Sequence, residues 1–293
     1  MANLKEIQRK IRSVKNTQKT TNAMKLVSSA KLKRTEELAK QSKVYAAKIT
    51  EMIDEIAANI AKQGEVDNIF FKHVANPKVV DLVFVTADKG LCGGFNSQTI
   101  KHVNALLQEF KGTDTKVRLR AIGKKGISYY RFNDIDMVQE ISDLSAAPTY
   151  ARAAEFINEV IEDYLRGDTD KIIVVHNGYV NMITQEIRED QLVPVDPTEL
   201  VQGAVATSEL EVEPDDDDTL LEALVRRYLE YSMYYALVDS LAAEHSARMQ
   251  AMDSATTNAK EMADKLTIQY NKARQEAITT ELIEIISGME SMK

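Results

Sequence analysis

The sequence predicts an α/β chain: a mostly parallel sheet domain, Rossmann-like in its alternation of strand and helix, inserted between two long terminal helices. Those helices are expected to form an antiparallel, left-handed coiled coil. Three observations carry this reading. All five prolines and ten of the eleven glycines fall between Gly64 and Pro214, so both ends are free of helix breakers. Each end carries an apolar repeat in steps of three and four, and the middle alternates short apolar runs with helical stretches. The expected organisation is an N-terminal coiled-coil helix over 1–63, an α/β domain with linker over 64–214, and a C-terminal coiled-coil helix with an apolar tip over 215–293.

Residues 1–63 and 215–287 contain neither Gly nor Pro, so each can run as one helix until Gly64 or Gly288. At ~1.5 Å per residue the second would be roughly 100 Å long, too long to lie inside a compact domain. It must protrude, and something must cover its apolar face. Steps of three and four connect Leu221, Leu224, Tyr228, Tyr231, Tyr235, Val238, Ala242, His245, Met249, Met252, Thr256, Ala259, Ala263, Leu266, Tyr270, Ala273 and Ala277. A repeat of about 3.5 residues held this long imposes a left-handed supercoil with a partner helix. The N-terminal segment offers the pattern in two blocks, Leu4, Ile7, Ile11, Val14 and then Leu38, Tyr45, Ile49, Met52, Ile56, with a polar gap KNTQKTTN between them. Alanines at Ala259, Ala263, Ala273 and Ala277 allow close approach of the two backbones.

Asn3 with Glu6, and Thr219 with Glu222, have the spacing of reciprocal helix caps. The acidic run at residues 215–218 favours a helix start through the macrodipole. PDDDDT lacks the alternating oxygens and turn glycine of a calcium loop, so no metal is expected. Between the long helices, strands are expected at 79–85, 117–122 and 171–175, around Met137, and within 182–195. Helices are expected at 97–110, 125–132 and 150–165. Strands alternating with helices argue for a mostly parallel sheet covered on its faces. Residues 194–214 read as a linker back to the long helix.

No apolar run approaches the roughly 18 residues of a membrane-spanning helix, and the N-terminus lacks a secretory signal and a transit peptide's composition. One cysteine permits neither an internal disulfide nor a thiolate zinc cage. Residues 1–48 hold 13 Lys and Arg against 3 Glu, a net of +10, so the rest of the chain carries 24 minus 42, or −18. Lys10, Lys15, Lys19, Lys25, Lys31, Lys33 and Arg34 suit an acidic protein surface, a nucleic acid, or plain solvation. No aromatic residue precedes Tyr45 to stack on bases, which weighs against the nucleic-acid alternative.

The stretch TADKGLCGGFN follows a strand and invites comparison with a phosphate loop. Gly90, Gly93 and Gly94 have the spacing of neither GxxxxGK[ST] nor GxGxxG, and the later Gly123 to Gly126 pair is equally short of a fingerprint. Cys92 as a nucleophile would need a base, with His102 or His176 the candidates in the fold. His73, His102, His176 and His245 stand singly, without metal-ligand spacing. By pattern the chain is a mechanical or binding element rather than a catalyst.

Three separated motifs, IRSVKNTQKTTNAMKLVSSAKLKR, TADKGLCGGFN, and EHSARMQAMDSATTNAKEM followed by YNKARQEAITTELIEIISG, closely resemble the γ subunits of bacterial F-type ATP synthases. The resemblance covers the whole chain. It implies a rotor shaft without a catalytic site or cofactor of its own, whose coiled coil stands in a hexamer of α and β subunits. Its α/β domain would sit at the membrane-embedded c ring, and the epsilon subunit would be a further partner. Rotation driven by protons or sodium ions would force the β sites through their conformations to make ATP, and hydrolysis would turn the shaft in reverse. The implied place is the cytoplasmic face of a bacterial plasma membrane, held there through the complex alone, with no nucleic acid as partner.

The resemblance also implies site residues. Met24 and Lys25 would lie nearest an acidic lever loop of β, with Lys31, Lys33 and Arg34 close by. Arg274, Gln275 and Thr279 would hydrogen-bond a catching loop of β, with Glu281 beside them and Arg248 lower on the same helix. Ile278, Leu282, Ile283, Ile285 and Ile286 would form an apolar bearing. Glu213 and Asp215 would face the c ring, although the aromatic residues frequent before that step are replaced by Leu210 and Val212. The loop bearing Gly90, Cys92, Gly93 and Gly94 is expected as a tight turn beside the coiled coil, its glycines allowing close approach to that coil or to β.

Overall fold

A computed structural model describes residues 4–63, 69–72, 74–195 and 217–290, with the backbone alone at 43–47, 49–63, 217–221 and 290. Two compact units emerge: Met1–Ser29 with Arg248–Lys293, and Ala30–Ala247. The terminal helices, α1 (Leu4–Gln63) and α5 (Asp217–Glu290), each contribute to both.

The first unit is a helix pair. Ile7, Ile11, Val14, Gln18 and Thr21 of α1 turn from water at steps of three and four, as do Met252, Thr256, Ala259, Ala263, Leu266, Tyr270, Ala273 and Ala277 of α5. The pairing is antiparallel. Thr21 and Thr256 join hydroxyls at 2.7 Å, and Lys25 Nζ meets Asp253 Oδ1 at 2.7 Å, so the number climbs by four on one helix as it falls by three on the other. The polar stretch expected as a gap is therefore part of the seam: within it Gln18 and Thr21 turn inward, and Ser28 beyond it is buried at the next steps of the repeat.

In the second unit the α1 stripe continues through Leu32, Thr35 and Ser42, at 2%, 5% and 5% exposure, whereas Leu38, an expected seam residue, is 43% exposed. Polarity misleads here because a threonine or serine whose hydroxyl bonds a carbonyl of its own helix, as Thr35 does to Lys31 O at 3.0 Å, is small enough to bury. The side chains of Tyr45, Ile49, Met52 and Ile56 lie outside the described residues, as does Asn3. Glu6 pairs with Lys10 at 2.8 Å. Helix α5 is described from Asp217, and the side chain of Thr219, the expected cap, lies outside the described residues.

The sheet of the second unit has the order β3-β2-β1-β4-β5. Its strands are β1 (Val79–Val85), β2 (Lys116–Ile122), β3 (Gln139–Ile141), β4 (Lys171–Tyr179) and β5 (Gln185–Val193). Pairings β1–β2, β1–β4 and β2–β3 are parallel, and β4–β5 is antiparallel. Between them run α2 (Phe95–Lys111), α3 (Lys124–Phe132) and α4 (Tyr150–Leu165). Strand β4 runs four residues beyond the expected 175, because the hairpin to β5 carries the ladder out to Tyr179 opposite Gln185. Side chains alternate across β1. Leu82 and Phe84 pack with Val103, Ile127 and Tyr130 from α2 and α3, while Val83 and Val85 pack with Phe156, Ile157 and Val160 of α4 and with Leu229 and Met233 of α5.

One charge cluster interrupts the α4 face. Asp81 of β1, fully buried, lies 2.8 Å from Arg120 Nε and 3.0 Å from Arg118 Nε, and both arginines also reach Asp163 of α4. The parallel register sets Asp81 beside Arg118, and the two-residue step puts Arg120 on the same face. Burial raises the pKa of Asp81 against the pull of Arg120 and Arg118. At Asp163 burial also acts upward, but hydrogen bonds and charge from Arg118 and Arg120 outweigh it and hold the carboxyl below its usual range.

Removing Asp163 leaves the guanidinium groups of Arg118, Arg120 and Arg166 short of an anion, so Asp163→Asn is expected to cost about 3 kcal/mol in urea unfolding at neutral pH. Because the folded pKa of Asp163 is depressed, its contribution is present above the unfolded value of about 3.9 and fades as pH falls through the lower folded value. The gap between the parent and Asp163→Asn should therefore narrow in acid.

Candidate functional site

The glycine loop leaves the carboxyl end of central strand β1, the place where a parallel sheet commonly presents a ligand site. Here it is filled by its own polar groups. Asp88 Oδ1 accepts the backbone N–H of Lys124 at 3.0 Å and of Asp143 at 3.1 Å, and Oδ2 accepts the Ser145 hydroxyl at 2.9 Å. Asn96 Oδ1 accepts from Ala87 N at 2.8 Å, closing the loop onto the start of α2. The amides that could cradle a phosphate are thus taken by Asp88. Among the described residues no group of three or more His, Cys, Asp and Glu is placed to hold a metal ion.

Cys92 is 2% exposed. Its sulfur receives the Asn96 side-chain N–H at 3.2 Å and lies 3.8 Å from the Lys89 carbonyl. The two histidines considered as its base are engaged elsewhere: His102 stands 3.2 Å from Glu189, and His176 3.3 Å from Asp239. Cys92 packs instead with Ala87 and Phe95 against Ala243 and Ala247 of α5. The loop meets the long helix through Cys92 and Phe95. A methyl group on Gly90 or Gly94 would meet Lys125 at 3.7 Å or Gln98 at 3.5 Å, ordinary contacts, so the close approach is made by Cys92, Phe95 and the helix's own alanines. Gly93, at φ 57, serves the turn, and Leu91 holds φ 63 with its side chain 64% exposed.

A tighter glycine lies next door. Gly123 has φ 100, and a Cβ there would stand 2.0 Å from the Thr86 carbonyl oxygen, so only glycine fits. The GKKG stretch is therefore a packing device: the N–H of Gly126 donates to Thr86 Oγ1 at 2.9 Å, tying α3 to the end of β1.

The other expected residues sit on the long helices. Lys31, Lys33 and Arg34 are exposed; Met24 and Lys25 are half-buried, Lys25 being paired with Asp253. Arg248 is 9% exposed. Arg274, Gln275, Thr279 and Glu281 are exposed, and Gln275 and Thr279 line a shallow groove with Lys272, Glu276 and Thr280. Ile278, Leu282, Ile283, Ile285 and Ile286 are 49–60% exposed, an apolar stretch turned to water. Glu213 and Asp215 fall outside the described residues. The structure adds a groove along α1 lined by Lys5, Arg9, Arg12, Lys15 and Lys19 with Gln8, Ile11 and Asn16. The spacing of 5, 9, 12, 15/16 and 19 was available in the sequence as a helical face.

Two outcomes follow from this geometry. Thiol reagents should modify Cys92 of the folded chain far more slowly than of the urea-unfolded chain, as followed by absorbance. Asp88→Ala should cost about 2 kcal/mol in chemical unfolding, since it leaves two N–H groups and a hydroxyl without their acceptor.

Residues 3–292 match the family model described as ATP synthase. The chain is 70% identical to the ATP synthase gamma chain of Sulfurovum sp. strain NBC37-1 and 58% identical to that of Sulfurimonas denitrificans, in each case over 100% of both chains. In fold it is similar to a chain of the Euglena gracilis mitochondrial ATP synthase OSCP/F1/c-ring structure in rotational state 3, with a TM-score of 0.69, 17% identity, and 99% and 94% of the two chains covered. A chain of the Tetrahymena thermophila mitochondrial ATP synthase central stalk and c ring matches with a TM-score of 0.63 at 24% identity, over 80% of this chain and 99% of that one. Full-length identity at this level, over a glycine loop folded shut and two helices paired along one seam, leaves one assignment: the chain belongs to the ATP synthase gamma-chain family.

Proposed function

We propose that the chain is the central rotor shaft of an F-type ATP synthase. It couples ion-driven rotation of a membrane ring to conformational change at catalytic β subunits, and turns in reverse when ATP is hydrolysed. The observation that carries this reading is the first unit, an antiparallel helix pair with a closed seam, a basic groove on α1 and an exposed apolar end on α5. A helix pair with a continuous seam resists bending, which is what a torque-bearing element requires. In this reading the chain has no catalytic site of its own and phosphate chemistry belongs to the partners; the closing of the glycine loop by Asp88 supports it.

Met24 and Lys25 lie nearest an acidic loop of β, with Lys31, Lys33 and Arg34 close by, where exposed pairs suit a surface that moves from one partner to the next. Arg274, Gln275 and Thr279, with Glu281, catch a second β loop at one angle. Ile278, Leu282, Ile283, Ile285 and Ile286 turn inside an apolar collar, which removes from water a patch that would otherwise promote aggregation. Glu213 and Asp215 are assigned to the c-ring side, and the epsilon subunit to the α/β domain. The chain is assigned to the cytoplasmic face of a bacterial plasma membrane, held there by its partners; no helix among the described residues is long and apolar enough to cross a membrane. Membership of the gamma-chain family replaces the nucleic-acid reading of the basic helix.

The test is co-expression with the α and β subunits and observation of a probe on the α/β domain. Stepwise rotation driven by ATP is expected; a complex that hydrolyses ATP while the probe stands still would sink the proposal. Neutralising Lys31, Lys33 or Arg34 singly to Gln should slow rotation by less than about fivefold, because an exposed ion pair is worth roughly 0–1 kcal/mol.

A further inference from the structure

Asp239 lies on α5 among Ala236, Leu237, Val238, Ala242 and Ala243, and is 3% exposed. Its carboxylate is gripped by two strands. Arg188 Nη1 of β5 donates to Oδ2 at 2.7 Å, His176 Nε2 of β4 stands 3.3 Å from the same oxygen, and the backbone N–H of Tyr179 donates to Oδ1 at 3.2 Å. The cluster extends outward: Glu186 Oε1 accepts from Arg188 Nε at 3.1 Å and Nη2 at 3.0 Å, and Asp190 Oδ2 lies 3.4 Å from His176 Nδ1.

A buried carboxylate costs several kcal/mol in desolvation unless geometry and hydrogen bonds offset it, so stability alone gives little reason to place one here. Its surroundings supply another. Much of the α5 surface against the loop and sheet is apolar, with Ser240, Glu244, His245 and Ser246 buried beside it and Glu230 bonded by Tyr150 and Asn158, and apolar contact is non-directional. Hydrogen bonds to a charged group are directional and about twice as strong as neutral ones. Elsewhere along α5, the buried Ser246 donates to the Met182 carbonyl at 2.9 Å, and Arg226 donates to Glu162 at 2.9 Å, further polar grips on the same helix.

We propose that Asp239 is a positioning residue that keys α5 to the sheet against rotation about the helix axis, so that torque passes between the sheet domain and the shaft. This rests on the rotor reading. A carboxylate clamped from two strands on one side of the helix opposes twist in both senses, as synthesis and hydrolysis both demand.

The experiment uses the assembled complex with α and β subunits, stalled by nucleotide, and records the angular spread of a probe fixed to the sheet domain. Asp239→Ala should broaden that distribution, a loss of torsional stiffness, whereas Asp239→Glu, which keeps the charge and its acceptors, should restore much of it. Should Asp239→Ala fail to assemble, Arg188→Gln removes one donor from a side chain that is 29% exposed, and should broaden the distribution by a smaller amount. An unchanged spread in both variants, within complexes that rotate on ATP, would overturn this inference alone. An unsubstituted complex that hydrolyses ATP without rotating would overturn the rotor reading and this inference with it.

Discussion

A helix of 74 residues with an apolar stripe cannot cover that stripe by itself, and the rest of the molecule answers to this constraint. Its amino-terminal part is covered by α4 and the sheet, through Val225, Leu229, Met233 and Leu237. Its carboxy-terminal part is covered by α1. The side chains change accordingly. Aliphatic and aromatic residues fill the wide space against the sheet, whereas Ala259, Ala263, Ala273 and Ala277 serve where helix meets helix. Beyond Ala277 the isoleucines and leucine of the end are exposed.

Polar groups enter the interior in two different ways. Thr21, Thr35 and Thr256 bond carbonyls of their own helices, which lets a hydroxyl sit in a seam at little cost. Asp81, Arg118, Arg120 and Asp163 bury full charges and are matched only because three elements bring them together. The first kind adjusts spacing between backbones. The second fixes β1, β2 and α4 in one arrangement, since a shift of one residue in register would turn Asp81 to the opposite face, away from both arginines.

The glycine loop shows how a local pattern can point the wrong way. A strand, a glycine-rich turn and a helix form the outline of a phosphate site, and the missing fingerprint spacing was the sequence's one warning against it. What excludes a phosphate is Asp88, whose acceptors draw in amides from Lys124 and Asp143, 36 and 55 residues away in the chain. No local pattern reports that meeting.

The sequence by itself determined the long helices, the α/β middle and the strands of its core, because breaker placement and periodicity act over neighbouring residues. The spans of β1 and α4 are legible to the residue. The motif resemblance likewise identified the family, since it depends on residue identity and order. Tertiary structure decided which polar residues join the seam, why Leu38 leaves it, and where β4 ends. It also decided that Cys92 packs on α5 and that Asp239 is held by β4 and β5. Those outcomes turn on groups distant in the chain competing for one acceptor or one space, and that competition is settled only when the elements meet.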